Sequence, residues 1–251
     1  MNHIATVHYR TPKWVNIQYR YINKYLKDFR LYGAFSKAID TGFAEHYYFA
    51  HFTDIVEHWF KLNLLADVIC HSADSRNDII CFLDSDAFPI SQIDWYIEDK
   101  LSKYQLIAIQ RSEDAGALHP HPSFCAMRIQ TWLDIGGDWS RGPTGTFHPH
   151  TGTPTVDVGG ALKNILEAKR VQWYPLQRTN NNDYDHLMFG IYDSVIYHHW
   201  NGSHDTHDVE PLERIQIHKK FLSRLLDRFQ RICLSFSTAL VNVNEFLRRK
   251  Y

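Results

Sequence analysis

Apolar positions along the chain form short unbroken runs that alternate with segments of helical spacing. The runs predict strands at 4–9, 79–83, 106–109, 124–127, 171–174 and 194–199. The helical spacing predicts helices over 14–26, 49–66, 94–104 and 160–169. Unbroken apolar strands that alternate with helices are typical of an α/β fold with both sheet faces covered. We therefore predict one domain over residues 1–210, with a mixed, mainly parallel central sheet flanked by helices.

A different pattern follows over residues 211–251, where one or two helices are apolar on one face and basic elsewhere. We expect this C-terminal helical extension to pack on the main domain. The alternative is that its basic residues make a peripheral contact with anionic lipid at a membrane surface. These basic residues are Lys219, Lys220, Arg224, Arg228, Arg231, Arg248 and Arg249.

Composition narrows the class of protein. The chain has 251 residues, of which 44% are hydrophobic, so it can bury a sizeable core. Its formal charge of -1 argues against a nucleic-acid partner, which normally requires a basic excess. The four cysteines are scattered without close pairing, which favours reduced core thiols and a cytoplasmic location. We see no signal peptide and no apolar run long enough to span a bilayer.

Two aspartates, Asp84 and Asp86, follow the apolar run 79–83. Side chains alternate along a strand, so both carboxylates point the same way if the extended conformation persists. Two like charges beside a buried strand are costly unless a cation lies between them. A magnesium-type ion, with phosphate oxygens completing its shell, fits this pattern. The alternative is that Asp84 opens a turn and Asp86 caps it.

A histidine pair, His198 and His199, ends the last predicted strand. Neutral imidazole is a common ligand for manganese-like ions, and a strand-end histidine could complete a site opened by two aspartates. Only one of the pair should reach the metal, because successive strand residues face opposite ways. We expect His199 to be that ligand; the alternative is a buried, hydrogen-bonded histidine pair.

Asp157 and two glycines directly precede the predicted helix 160–169. Asp157 either caps that helix or, with glycines that allow close backbone approach, contributes to a site.

The stretch 111–155 is rich in Gly, Pro, His and Ser, so we expect it to be mostly loop apart from the strand 124–127 and to bind an acceptor. It contains His-Pro-His patterns at 119–121 and 148–150. No carboxylate or cysteine accompanies them, so structural loops or acceptor contacts are favoured over a second metal.

An ordered set of landmarks resembles the GT-A class of nucleotide-sugar-dependent glycosyltransferases, in which a strand ending in Asp-x-Asp holds the metal and the nucleotide diphosphate. The resemblance extends over most of residues 1–205. The landmarks are Thr6-Val7-His8-Tyr9-Arg10, Lys61-Leu62-Asn63, Asp84-Ser85-Asp86, Asp157-Val158-Gly159-Gly160 and His198-His199-Trp200-Asn201-Gly202.

The resemblance implies a GT-A-like, Rossmann-related fold and a role for each landmark. Asp86 would ligate the metal, with Asp84 sharing it or holding the ribose, and His199 would be a third ligand. Asp157 looks like the acceptor-side carboxylate, which is a general base in inverting enzymes, although Val156 departs from the commoner Glu-Asp pairing. The residues expected to contact the nucleotide are Thr6, His8, Tyr9, Arg10, Lys61, Asp84 and Ser85. For Lys61, a solvated helical face is the alternative explanation.

The resulting prediction is a metal-dependent glycosyltransferase of polysaccharide biosynthesis, acting with Mn²⁺ or Mg²⁺. Its donor would be a UDP- or GDP-sugar, and its acceptor a hydroxyl of a glycan or of a lipid-linked sugar. One alternative is a phosphohydrolase or phosphotransferase of the haloacid-dehalogenase type, whose nucleophilic Asp usually lies near the N-terminus and has Thr or Val four residues later. Phe88 stands at that position here. Another alternative is a non-catalytic carbohydrate-binding module rich in aromatic residues.

Overall fold

The computed structural model describes residues 1–36, 39–111, 118–147, 151–180 and 189–200. The strands in this part of the chain are β1 (Asn2–His8), β2 (Phe29–Ser36), β3 (Phe49–Thr53), β4 (Ile79–Asp84), β5 (Ala87–Pro89), β6 (Leu106–Ile109), β7 (His121–Arg128), β8 (Arg141–Phe147), β9 (Pro154–Val158), β10 (Trp173–Leu176), β11 (Phe189–Tyr192) and β12 (Ile196–His199). The α-helices are α1 (Lys13–Tyr25), α2 (His58–Ser72), α3 (Asp94–Leu101), α4 (Ile129–Ile135) and α5 (Gly160–Ala168). A 3₁₀ helix spans Thr41–His46.

Seven of the strands form the central sheet, in the order β10-β6-β7-β4-β1-β2-β3. The neighbours β4, β1, β2 and β3 run parallel, as do β6 and β10. Strand β7 is antiparallel to both β4 and β6. The predicted fold class, a mixed and mainly parallel sheet flanked by helices, is confirmed.

Helices cover both faces of this sheet, which explains the unbroken apolar runs of β1 and β4. On one face, Val7 and Phe82 pack with apolar side chains of α2, α4 and α5. On the other face, Ile4 and Leu83 pack with apolar side chains of α1 and α3. Alternate residues of each strand therefore pack in different hydrophobic cores. Because β1 and β4 are parallel, their polar last residues lie at the same end of the sheet.

A small antiparallel sheet of order β11-β12-β5 adjoins the carboxyl end of β4. Strand β5 starts directly after Asp86, and Ala87 pairs with His198 of β12. This pairing brings the end of β12 to the aspartates. A second ribbon, made of β8 and β9, places Asp157 opposite Gly142.

Two predictions of secondary structure are wrong. The predicted helix 49–66 is instead strand β3 followed by α2. The aromatic residues of Phe49–Thr53 pair in parallel with β2, and Val56 and Phe60, expected on the inner helix face, are exposed. The stretch 111–155, expected to be mostly loop, contains α4 and the β8–β9 ribbon as well as β7.

Three of the cysteines, Cys70, Cys81 and Cys125, are buried free thiols, as expected for core residues. No helix in the described part of the chain is long and apolar enough to cross a bilayer. Residues 211–251, with the predicted helical extension, its lipid contact and Cys233, lie outside the described residues, as does the 148–150 histidine pair.

Candidate metal centre

Asp84 ends β4, Asp86 lies in the turn before β5, and a side chain of α1 holds this turn in place. The Gln18 side-chain amide donates hydrogen bonds to the carbonyl oxygens of Asp84, at 2.7 Å, and Ala87, at 2.8 Å. The Thr6 hydroxyl donates to Gln18 Oε1 at 3.0 Å. Both Thr6 and Gln18 are buried. Because its two backbone acceptors are bound to one buried side chain, the turn holds the carboxylates in a defined place.

Asp84, Asp86 and His198 converge at the carboxyl end of β4. Each offers one ligand atom, and these three atoms lie within 4.8 Å of one another. His198 Nε2 lies 3.6 Å from Asp86 Oδ1 and 3.9 Å from Asp84 Oδ2. The aspartates thus face a common point, although the strand ends at Asp84 and Asp86 belongs to the turn.

His198, and not the expected His199, joins the aspartates. The ring of His199 lies against Trp14, with centroids 4.5 Å apart, and its Nδ1 is 2.9 Å from the Tyr197 hydroxyl. The alternation of side chains along β12 turns these neighbours in opposite directions. The metal role predicted for His199 is therefore transferred to His198 in the proposal below.

Two further histidines surround Asp84. His58, the first residue of α2, places Nε2 at 3.3 Å from Asp84 Oδ1. His121, the first residue of β7, places Nδ1 at 3.9 Å from Asp84 Oδ2. The pattern at 119–121 was expected in a loop or an acceptor contact because no carboxylate accompanies it in the sequence. In the fold a carboxylate does accompany it, since β7 pairs with β4 and brings His121 to Asp84.

The protonation states of this cluster suit metal binding. Burial lowers the pKa of His198 to about 3 and holds the pKa of His121 well below its usual range. Burial alone raises the pKa of Asp84, but the close contact with His58 and the positive potential of His121 and His198 bring it below its ordinary value. Neutral imidazole beside ionised carboxylate is the form in which both residue types ligate a cation.

The residues present fit a divalent cation. Asp86 and His198 are buried, and His198 directs Nε2 to both carboxylates at distances longer than a hydrogen bond. Two carboxylates brought together out of water repel each other unless a positive charge compensates them. Two carboxylate oxygens suit a hard divalent cation such as Mn²⁺ or Mg²⁺, and an imidazole nitrogen is a ligand that transition metals such as Mn²⁺ accept.

Tyr9 and Lys61 adjoin the carboxyl end of β1. Two cations contact the Tyr9 ring: the Arg10 guanidinium lies 4.8 Å from the ring centroid, and Lys61 Nζ lies 5.1 Å from it. Lys61 is only 1% exposed, so it does not belong to a solvated helical face. Within the described ranges, its ammonium makes no hydrogen bond or ion pair. Burial lowers the pKa of Lys61, and the negative charge of Glu57 offsets this effect only in part.

The other residues expected to contact the nucleotide are less accessible. Thr6 and His8 are buried, and His8 Nε2 lies 2.8 Å from the Tyr47 hydroxyl. The His8 ring also stacks on Phe35, with centroids 5.0 Å apart. Ser85, in the turn between the aspartates, is half-buried. A nucleotide contact for these three residues stays a prediction.

Asp157 does not cap the helix that follows it. Its Oδ1 accepts a hydrogen bond of 2.7 Å from Val158 N, and the N-cap of α5 is Gly159, with no side-chain cap. The buried residue His119 has a pKa that burial lowers and that the negative charge of Asp157 partly raises again. The His119 ring lies 6.1 Å from that of His121. His119 therefore lies between the expected acceptor-side carboxylate and the histidines around Asp84.

Neither the protein-family models nor the curated protein sequences gave a match to this chain. Among solved structures, the galactosyltransferase LgtC, in complex with donor and acceptor sugar analogues, is 11% identical over 53% of this chain and 60% of its own, with a TM-score of 0.37. The glycosyltransferase GlyE of Streptococcus pneumoniae TIGR4 is 11% identical over 70% of this chain and 46% of its own, at 0.43. Mouse xyloside xylosyltransferase 1 is 10% identical over 53% of this chain and 69% of its own, at 0.34.

The match thus spans less than two thirds of the LgtC and GlyE chains. All three neighbours are glycosyltransferases, but likenesses this distant do not carry the assignment of fold or function. The fold class rests on the sheet order and strand directions, and the site on the geometry around Asp84.

Sequence reasoning missed His58 and Gln18 entirely. The predicted helix 49–66 contains His58 in its interior, whereas the observed helix α2 begins at His58. The sequence therefore offers no reason to expect His58 at a helix start beside the aspartates. Gln18 lies on the buried side of α1, where a polar residue among apolar ones is an available signal. Its position in the second turn of the chain's first helix gives no indication of which backbone groups it binds.

Proposed function

We propose that the protein is a metal-dependent glycosyltransferase that moves a sugar from a nucleotide-sugar donor to a hydroxyl of a glycan or lipid-linked acceptor. The observation that carries the proposal is the convergence of Asp84, Asp86 and His198 within 4.8 Å at the carboxyl end of a central strand. Open α/β sheets bind ligands at this end of their strands. A donor set of this kind leaves coordination positions for phosphate oxygens.

In this proposal Asp84, Asp86 and His198 hold Mn²⁺ or Mg²⁺. When bound, the ion would neutralise the charge on the departing nucleoside diphosphate. His58 orients Asp84 through Oδ1, which leaves Oδ2 directed towards His198. Thr6 contributes indirectly, through Gln18 and the turn that it braces.

Lys61 and Arg10 supply positive charge on the nucleotide side of the site. Lys61 is a buried cation that lies over the Tyr9 ring and has no ion pair among the described residues. An anionic ligand would therefore compensate part of the free-energy cost of burying its charge. Tyr9 is positioned by the same two cations, and we propose that it adjoins the base or ribose.

Asp157 is proposed as the acceptor-side carboxylate. It is half-buried and bound to one backbone N–H, so its second oxygen is available for a sugar hydroxyl. His119 lies close enough for the charge of Asp157 to affect its pKa, and it links this carboxylate to the histidines near Asp84.

The two other classes of function have less support. In a haloacid-dehalogenase-like phosphohydrolase Thr or Val follows the second Asp by two positions. Here Phe88 stands at that position, fully buried against Tyr21 and Tyr197. A non-catalytic carbohydrate-binding module gives no reason for two buried carboxylates and a histidine to face one point.

A thermal-shift screen with UDP and GDP, with and without Mn²⁺, tests the proposal. We expect one of the two nucleotides to raise Tm by several degrees only when the metal is present, because it binds the native state. The Asp86→Asn variant should fold but lose that response. Indifference of the wild-type protein to every nucleotide and metal combination would contradict the proposal.

A further inference from the structure

A cavity borders the segment that carries His119 and His121. Its volume is about 230 Å³, and Leu118 and Pro120 of this segment line one wall. His121, the next residue after Pro120, places Nδ1 at 3.9 Å from Asp84 Oδ2. The same short segment therefore contributes to the cavity and to the surroundings of the candidate metal centre.

The end of α5 builds the opposite wall. Val171 N donates to the carbonyl of Leu166 at 2.9 Å, and Arg170 N donates to that of Glu167 at 3.2 Å. This pair of bonds is the Schellman arrangement that ends a helix. It turns the chain sharply, so that Val171 and Trp173, at the start of β10, line the same cavity as Leu166.

Arg170 occupies the position of this motif where glycine is favoured. Its φ is 54°, in the left-handed region, where an L side chain is strained. The side chain is exposed and borders the cavity. Among the described residues its guanidinium makes no hydrogen bond or ion pair. The guanidinium is therefore accessible to a ligand in the cavity.

The other charges of the cavity are already paired. Lys163 Nζ donates to Glu167 Oε1 at 2.7 Å, one turn apart on α5. Lys163 is also held by the β8–β9 ribbon, since a Cβ on Gly145 would lie 3.1 Å from its Cε. Arg170 is therefore the uncompensated cation of this cavity, and its planar donors match a carboxylate in bidentate geometry.

The remaining wall is apolar and aromatic. Trp173 is half-buried against the core, and Leu118 is 55% exposed at the rim. Pockets that enclose drug-sized ligands hold roughly 300–1,000 Å³, so this smaller cavity fits a group such as one pyranose ring. An indole face offers apolar contact to the C–H face of a sugar.

We propose that this cavity binds a saccharide unit bearing a carboxylate, with Arg170 on the acid group and Trp173 on the ring. The further step, that this unit belongs to the acceptor glycan and lies next to the metal centre, rests on the proposed function. The binding itself does not.

Two disaccharides that differ only in a carboxylate, cellobiose and cellobiouronic acid, test the proposal by isothermal titration calorimetry on the full chain without metal or nucleotide. We expect saturable binding of the acid, and roughly tenfold weaker binding of the neutral sugar. Arg170→Gly should remove that preference while its Tm stays equal or rises, because glycine relieves the left-handed strain. Trp173→Leu should weaken both sugars.

Lys169→Gln is the matched control. It removes a neighbouring positive charge, but Lys169 Nζ donates to the carbonyl of Asp134 and does not line the cavity. Its affinity for the acid should equal that of the wild type. Equal binding of the two sugars, no binding of either, or wild-type affinity in Arg170→Gly would each overturn the proposal.

The same variants separate this inference from the proposed function. Arg170→Gly should keep the metal-dependent nucleotide response, and Asp86→Asn should keep the affinity for cellobiouronic acid. If only the sugar binding fails, the glycosyltransferase proposal stands. If only the nucleotide response fails, the saccharide site stands without a role in transfer.

Discussion

A histidine is buried beside an aspartate at each end of the central sheet, but the ring nitrogens of the two histidines differ in their hydrogen-bond partners. At the amino end, His3 Nδ1 lies 3.0 Å from the Tyr32 hydroxyl and Nε2 lies 3.1 Å from Asp78 Oδ2. The Tyr32 hydroxyl continues to Ser72 Oγ at 3.1 Å. At the carboxyl end, His198 Nδ1 has no partner among the described residues, and Nε2 lies 3.6 Å from Asp86 Oδ1.

The difference is between a closed network and an open one. Both nitrogens of His3 are within hydrogen-bond distance of a protein atom, so that network stabilises the fold by itself. The distances from His198 to the carboxylates are longer than hydrogen bonds, and the ligand atoms surround a space. The same residue types therefore indicate structure at one end and binding at the other.

The largest effect is expected from one isosteric change made at each end. Asp86→Asn should reduce transfer activity by at least about 100-fold, because it removes a proposed metal ligand. Asp78→Asn should leave activity intact and lower the free energy of unfolding by about 1–2 kcal/mol, through its weaker bond with His3. Initial rates and urea denaturation of both variants check this. Loss of activity in Asp78→Asn with Asp86→Asn active would reverse the assignment of the two ends.

The adjacent histidines of β12 sharpen the comparison within the carboxyl end. His198→Ala should weaken Mn²⁺ binding by about 10–100-fold, since it removes a proposed ligand. His199→Ala should keep the Mn²⁺ affinity and lose stability instead, because its ring packs on Trp14 and bonds Tyr197. Calorimetric Mn²⁺ titration distinguishes the two. A larger loss of affinity in His199→Ala would restore the assignment expected from sequence.

The Lys61→Met variant tests whether the carboxyl end of the sheet also binds the nucleotide phosphate. Lys61→Met keeps the apolar stem and should weaken nucleotide binding roughly tenfold at saturating Mn²⁺, while stability holds or rises as a buried unpaired cation is removed. Lys24→Met is the control, since Lys24 also lies over a tyrosine ring, that of Tyr25, at 4.9 Å. Equal nucleotide affinities in the two variants would exclude Lys61 from the site.

The smallest effect concerns His8, a histidine at the carboxyl end that does have a protein partner. Burial lowers the pKa of His8 to about 3 from its ordinary 6.5. Between these values the unfolded chain binds a proton that the folded chain does not, so stability falls as the pH drops below about 6.5.

Replacing His8 by Gln, which can still bond Tyr47, should make this loss shallower by at most about 1.4 kcal/mol per pH unit. Urea denaturation of both proteins at several pH values between 7 and 5 measures the two slopes. Identical slopes would show that His8 does not contribute to the acid sensitivity.

The features that sequence predicted well are local ones. The run 79–83 is unbroken because β4 is buried on both faces, and the aspartates follow it directly, so the strand and its polar end are visible together. The helices α1, α3 and α5 show regular spacing and were predicted close to their observed bounds.

The features that sequence did not predict depend on contacts between distant segments. The choice of His198 over His199 requires the pairing of β12 with β5, and the approach of His121 to Asp84 requires β7 to lie beside β4. Strand β3 was predicted as helix because its aromatic residues continue the spacing of α2, and only its pairing with β2 decides the matter. Periodicity carries no information about such pairings.

A Mn²⁺ titration followed by electron paramagnetic resonance tests most directly whether Asp84, Asp86 and His198 hold a divalent cation. The free hexaaqua ion gives a sharp signal that is lost on binding, so the bound fraction is read without any assumption about substrate. We predict one Mn²⁺ bound per chain in the wild type, none at the same concentrations in Asp86→Asn, and one in Asp78→Asn. Equal binding by wild type and Asp86→Asn, or no binding by the wild type, would contradict a metal at this site.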